Sequence, residues 1–203
     1  MLSAGDSAPK IKLPADDGSQ FDLAAKKGEH VIVYFYPRDD TPGCTVEAID
    51  FSKQAAALKK LGATVVGISK DSIASHVRFR DKHALKVSLL SDPDLTVHKA
   101  FGAWGEKTMY GKKVEGVIRS TFLIGPDGKV KRAWPSVKVA GHVDAVIAAL
   151  KGGDAPAKPA AKATKAVAKA TKPAEKKPAP KLAAEKKAVA KKPVPKKPAG
   201  KKA

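Results

Sequence analysis

Val31-Ile32-Val33-Tyr34-Phe35-Tyr36 runs directly into Pro37-Arg38-Asp39-Asp40-Thr41-Pro42-Gly43-Cys44. The first six residues are continuously apolar, β-branched and aromatic. That is the pattern of a strand buried on both faces, as in a parallel sheet covered by helices. Pro37 stops the strand. Thr41-Pro42 then reads as a helix start, with Thr at the N-cap and Pro at the first helical position, where its missing N–H costs nothing. The helix is expected to run to about Lys60, with Val46, Phe51, Ala55 and Leu58 as its inward face and Gly62 as its stop.

Working outward, Lys10–Leu13 and Gln20–Leu23 are weak strand candidates among the breakers Pro9, Pro14 and Asp17-Gly18. Thr64–Ser69 is a second buried strand, and Asp71 or Ser72 caps a helix to about His83. Val87–Leu90 is a short strand, and Asp92-Pro93-Asp94 turns into a helix ending near Phe101-Gly102. Val117–Ile124 reads as one strand, Gly125-Pro126-Asp127-Gly128 as a hairpin turn, and Val130–Trp134 as its return. Val143–Leu150 closes the domain. Helix-length crossovers between buried strands imply parallel pairing, and the last hairpin adds an antiparallel edge. The class is α/β, a thioredoxin-like fold with a mixed central sheet flanked by helices, over residues 1–150.

Residues 151–203 are of another kind. They hold 17 Lys and no Arg against Asp154, Glu175 and Glu185, a balance of +14 out of +19 for the chain. Eight of the 15 prolines lie there and every aromatic residue lies before position 135. A segment of Lys, Ala and Pro without aromatics cannot bury enough apolar surface to offset chain entropy, so it is expected to be disordered. The N-terminus lacks a basic region followed by an apolar run, and no stretch has the ~18–20 apolar residues of a membrane span. The protein is therefore expected to be soluble and cytoplasmic.

Cys44 is the single cysteine. One thiol excludes an intramolecular disulfide and any Cys-cluster metal site. A helix starting at Thr41 places Cys44 in its first turn, where free N–H groups and the positive end of the dipole favour thiolate over thiol. A lone cysteine can otherwise be a small buried hydrophobe; the Pro-Gly turn and the strand-to-helix position argue for the reactive alternative. His30, His76, His83, His98 and His142 have no metal-ligand spacing and read as surface or packing residues. Asp39-Asp40 reads as a solvated loop charge, while Trp104 and Tyr110 fit a pocket mouth or ordinary packing equally well. No cofactor or metal is expected.

Val33–Pro37 through Thr41–Ala48 resembles the active-site segment of peroxiredoxins, closest to the subgroup that includes bacterioferritin comigratory protein. Pro37, Thr41 and Cys44 match the P-x-x-x-T-x-x-C pattern, and Arg119 in Ile118–Ile124 matches the family's distant arginine. Phe101–Lys107 is also similar to the subgroup, and the resemblance extends over about residues 3–150. It implies a peroxidase of hydrogen peroxide and organic hydroperoxides. Cys44 thiolate would attack the O–O bond and become a sulfenic acid. Thr41 would hydrogen-bond sulfur and substrate, Arg119 would hold the thiolate and the transition-state charge, and Pro37 would shield the sulfur. Many members carry a resolving cysteine five residues on or on a later helix, but here those positions are Ile49 and the stretch Thr96–Lys99. An external thiol is then required: thioredoxin, glutaredoxin or a small thiol. Such a protein is expected as a monomer or weak dimer.

In the tail, Lys162-Ala163-Thr164-Lys165 recurs at Lys169–Lys172, and Lys-Lys-Pro recurs at Lys176-Lys177, Lys191-Lys192 and Lys196-Lys197. The segment resembles the basic C-terminal tails of linker histones and bacterial histone-like proteins. Without aromatics it cannot stack on bases, and without Arg or Asn it is poorly equipped for base edges, but it can neutralise phosphates. Those ten lysines are candidates for sequence-independent binding of DNA or RNA, with nucleoid association (nuclear in a eukaryote). A solubilising tail or one that seeks acidic membranes is the alternative. The rival for the whole chain is a DNA-binding architectural protein or redox sensor with a passenger peroxiredoxin domain.

Overall fold

The computed structural model describes residues 1–109 and 112–152. Tyr110 and the tail lysines from Lys162 to Lys197 lie outside the described residues. Strands β1 (Lys12–Pro14) and β2 (Gln20–Asp22) pair antiparallel as a small N-terminal ribbon. β3 (His30–Phe35), α1 (Pro42–Lys60), β4 (Ala63–Ser69), α2 (Ile73–His83), β5 (Ser88–Ser91) and α3 (Thr96–Phe101) follow in alternation. β6 (Trp104–Met109) and β7 (Lys112–Val117) form a separate hairpin; β8 (Ser120–Ile124), β9 (Val130–Trp134) and α4 (His142–Leu150) complete the fold.

The central sheet has the order β5-β4-β3-β8-β9. β3, β4 and β5 run parallel, β8 pairs antiparallel with β3, and β9 returns antiparallel at the edge. This is the thioredoxin-like arrangement that the element order implies. Val31 to Tyr36 are each at most 1 % exposed, as a strand covered on both faces requires. Alternation sends Ile32, Tyr34 and Tyr36 into one core with Phe51 and Leu58 of α1, Phe79 of α2 and Val146 of α4. Val31, Val33 and Phe35 enter the other core, with Val97 and Phe101 of α3 and Phe122 of β8. Trp104 is half-buried against this second core.

Two sequence expectations change. Val117–Ile124 is not one strand: β7 ends at Val117, and the Ile118–Arg119 backbone bonds instead to Ala103 and Val137 before β8 begins. The β6–β7 hairpin has little apolar alternation, so the sequence hid it. Val46 is 50 % exposed rather than inward. At 100° per residue the buried stripe of α1 passes through Cys44, Glu47, Ala48, Phe51 and Leu58, and residue 46 falls opposite.

Candidate active site

The site is built where β3 gives way to α1. The Tyr36 N–H bonds to the Ile68 carbonyl and holds the strand end, and Pro37, half-buried, turns the chain away. Thr41 occupies the N-cap position with extended dihedrals, and Pro42 is the first helical residue. The Thr41 hydroxyl does not cap the helix. It donates to the Arg38 carbonyl at 3.1 Å, leaving the N–H groups of the first turn without a side-chain cap. Cys44 lies in that turn and is 2 % exposed. The hydroxyl of Thr41 is thus near in sequence to the sulfur but turned toward Arg38.

Arg119 completes the site. β8 runs antiparallel to β3 with Ser120 opposite Phe35, so the residue before Ser120 arrives at the end of β3 where Pro37 leaves it. Its Nη2 donates to Cys44 Sγ at 3.1 Å, and its Nη1 donates to Glu47 Oε2. A Cβ on Gly43 would stand 3.4 Å from Nη2, so the guanidinium lies against the bare backbone of the first turn. One planar fork therefore spans sulfur and carboxylate, a geometry that a lysine's single ammonium does not reproduce.

Glu47 was not among the sequence candidates. It follows Cys44 by three residues, one turn on, and it is a charged residue on the buried stripe of a helix; that conflict was the available signal. It is 1 % exposed. Burial pushes its carboxyl up to about 7 against the opposing pull of Arg119. The direction fits the geometry, since Oε1 has no hydrogen-bond partner among the described residues. Burial pulls the Arg119 guanidinium down, but the charges of Glu47 and Cys44 outweigh it, so it is held firmly cationic.

Behind the site, burial and the nearby Arg119 charge push His142 down to about 4. Its ring meets Thr121 Oγ1 at 2.8 Å and stands edge-on to Phe51 and Trp134. Asp39 is no solvated charge: it is buried, and its carboxylate takes the Tyr36 hydroxyl and His76. Asp40 is exposed and pairs with Lys82 and His83. A cavity of about 650 Å³ lined by Lys59, Gly62, Thr64 and Lys86 contains none of the site residues. Among the described residues no group of three or more His, Cys, Asp or Glu could hold a metal ion, and no helix is long and apolar enough to cross a membrane.

Residues 4–133 match the model of the AhpC/TSA family. The chain is 46 % identical over 149 residues to a putative peroxiredoxin bcp of Coxiella burnetii, covering 73 % of this chain and 99 % of that one. It is 45 % identical over 150 residues to peroxiredoxin Bcp of Escherichia coli K12, covering 74 % and 96 %. A solved structure of Xanthomonas campestris bacterioferritin comigratory protein, described in connection with alkyl peroxide reduction activity, superposes with a TM-score of 0.67 at 46 % identity. That match covers 70 % of this chain and 90 % of that one.

Proposed function

The chain belongs to the AhpC/TSA family and is a Bcp/PrxQ peroxiredoxin, a thiol-dependent peroxidase acting on peroxides; on that premise we propose that Cys44 is its peroxidatic nucleophile, assisted by Thr41, Pro37 and Arg119. The observation that carries this reading is the Arg119 Nη2, 3.1 Å from the Cys44 sulfur at the start of α1. A thiolate there has a cation and the helix N-terminus to stabilise it. It attacks the terminal oxygen of the hydroperoxide, the S–O bond forms as the O–O bond breaks, and the alkoxide leaves and takes up a proton. The guanidinium faces the charge as it moves from sulfur to the leaving oxygen. The Thr41 hydroxyl can turn from the Arg38 carbonyl to the incoming peroxide, and Pro37 walls the approach.

Cys44 is the chain's single thiol, so the sulfenic acid has no internal partner. A thiol from outside condenses with it, releasing water and leaving a mixed disulfide, and a second thiol releases Cys44 reduced. Thioredoxin, glutaredoxin and small thiols all have the required chemistry. Peroxide consumption by the wild type and by Cys44→Ser, each with a thiol reductant, tests the assignment; equal rates overturn it.

For residues 151–203 we infer a separate, linker-histone-like segment that binds nucleic acid by charge, with residues 1–150 as the catalytic domain. What supports this is a +14 balance built from 17 lysines without a single arginine or aromatic residue. Such a segment meets phosphates and not bases, and it would keep the peroxidase beside the nucleic acid.

A further inference from the structure

The loop between β3 and α1 is gripped by one face of α2. Asp39 Oδ1 accepts from the Tyr36 hydroxyl at 2.8 Å, and Oδ2 meets His76 Nδ1 at 2.9 Å. His76 is fully buried, and its Nε2 has no hydrogen-bond partner among the described residues. The Asp39 N–H donates to Asp71 Oδ2 at 2.8 Å, and Asp71 also accepts from Ser69 Oγ at 2.9 Å. The next residue, Asp40, has φ 54, in the left-handed region. Its Oδ2 takes Lys82 Nζ at 2.5 Å and its Oδ1 meets His83 Nε2 at 2.8 Å. His76 and His83 are seven residues apart on α2, hence two turns on the same side.

Two adjacent loop residues are thus fixed from one helix at unfavourable local cost. A buried carboxylate needs partners to be tolerated at all, and a non-glycine residue at positive φ is held there by its surroundings. Neither aspartate is bonded to Cys44 or Arg119. Thr41 follows them directly, and Pro37 precedes them with only Arg38 between. Thiolate stabilisation comes from α1 and Arg119, whereas peroxide placement depends on the loop.

We propose that Asp39 and His76 form a positioning pair for the peroxide pocket, reinforced by Asp40 on Lys82 and His83, that holds Pro37 and Thr41 in register with the Cys44 sulfur. The pair acts through these residues and does not touch the reacting atoms; the proposal rests on the roles given above to Pro37 and Thr41. It separates two properties that a general structural role would move together. Losing the pair slows attack on peroxide but leaves the thiolate as reactive toward an electrophile that needs no pocket.

The experiment uses the full chain and compares single-turnover oxidation of Cys44 by hydrogen peroxide with its alkylation by iodoacetamide. His76→Phe keeps a flat aromatic ring, slightly larger than imidazole, and removes the group facing Asp39. It is expected to slow oxidation by about 10–100-fold, the scale of a displacement near 1 Å in a reacting site, with alkylation unchanged. His76→Asn returns a donor near the Nδ1 position and is expected to recover most of the oxidation rate. Should His76→Phe fail to fold, Asp39→Asn carries the same expected split. Alkylation that slows along with oxidation, or that speeds up, in these variants, or no recovery in His76→Asn, overturns the proposal. Thr41→Val is measured alongside. A full oxidation rate there overturns the underlying role of Thr41, whereas an impaired Thr41→Val beside a full-rate His76→Phe overturns the positioning pair alone.

Discussion

Arg119 Nη2 lies 3.1 Å from Cys44 Sγ although 75 residues separate the two in sequence. The contact exists because β8 returns beside β3 and delivers its leading residue to the end of that strand. The same guanidinium reaches Glu47, so both partners lie on the first turns of α1.

Replacing Arg119 with Ala is therefore expected to slow Cys44 oxidation by about 10²–10³-fold, the scale of losing a preorganised donor to a developing charge. Arg119→Lys recovers part of this, because an ammonium can face the sulfur or Glu47 but not both in one plane. Stopped-flow oxidation with hydrogen peroxide measures the ranking wild type, Lys, Ala. Equal rates for Lys and wild type would mean that the fork geometry is not used.

Glu47 gives the protein a pH-dependent stability of defined sign. Its carboxyl rises from an ordinary 4.5 to about 7 in the folded state. Between those values the native protein holds a proton that the unfolded chain has released. Stability falls as pH rises through that window and levels off above it, by at most about 3 kcal/mol. Denaturant unfolding at several pH values from 4 to 8 should show this component in the wild type and not in Glu47→Gln. Parallel curves for the two proteins would refute the assignment.

Gly67 faces Tyr34 across the β3–β4 pair. A Cβ there would stand 2.5 Å from Tyr34 Cζ and 2.6 Å from its hydroxyl oxygen. Tyr34 is fully buried and stacks on Phe51 and Tyr36, so it cannot swing aside without disturbing the face that carries α1. Gly67→Ala is expected to cost about 1–3 kcal/mol of stability, as overpacking does. Urea unfolding reads this directly, and an unchanged midpoint would contradict it.

The tail makes its own prediction. If ~8 lysines meet phosphates, log K for duplex DNA falls with log salt at a slope near −7, which is about four decades between 50 and 200 mM. Fluorescence anisotropy should show this steep dependence for the full chain and only weak binding after removal of residues 151–203. Equal affinity of the two proteins at low salt would end the nucleic-acid reading.

The β3 strand, the α1 start and the position of Cys44 were legible because each is encoded locally. A continuous apolar run, a terminating proline and a Thr-Pro pair act over a few residues. The Asp127-Gly128 turn and the β8–β9 hairpin followed for the same reason. The resemblance to peroxiredoxins also carried Arg119, which no local pattern singles out.

Glu47 and Asp39 were lost for the opposite reason. Sequence polarity predicts exposure, and their burial depends on partners 72 and 37 residues away. Each carboxylate is admitted to the interior by one such partner, Arg119 or His76, whose position only the completed sheet and the docked α2 define. The sequence by itself determined that the single sulfur, on Cys44, stands in the first turn of a helix, because the end of a buried strand and the first turn of a helix are local facts. Only the tertiary structure decided what charge surrounds that atom, because electrostatics is set by distance in space and not along the chain.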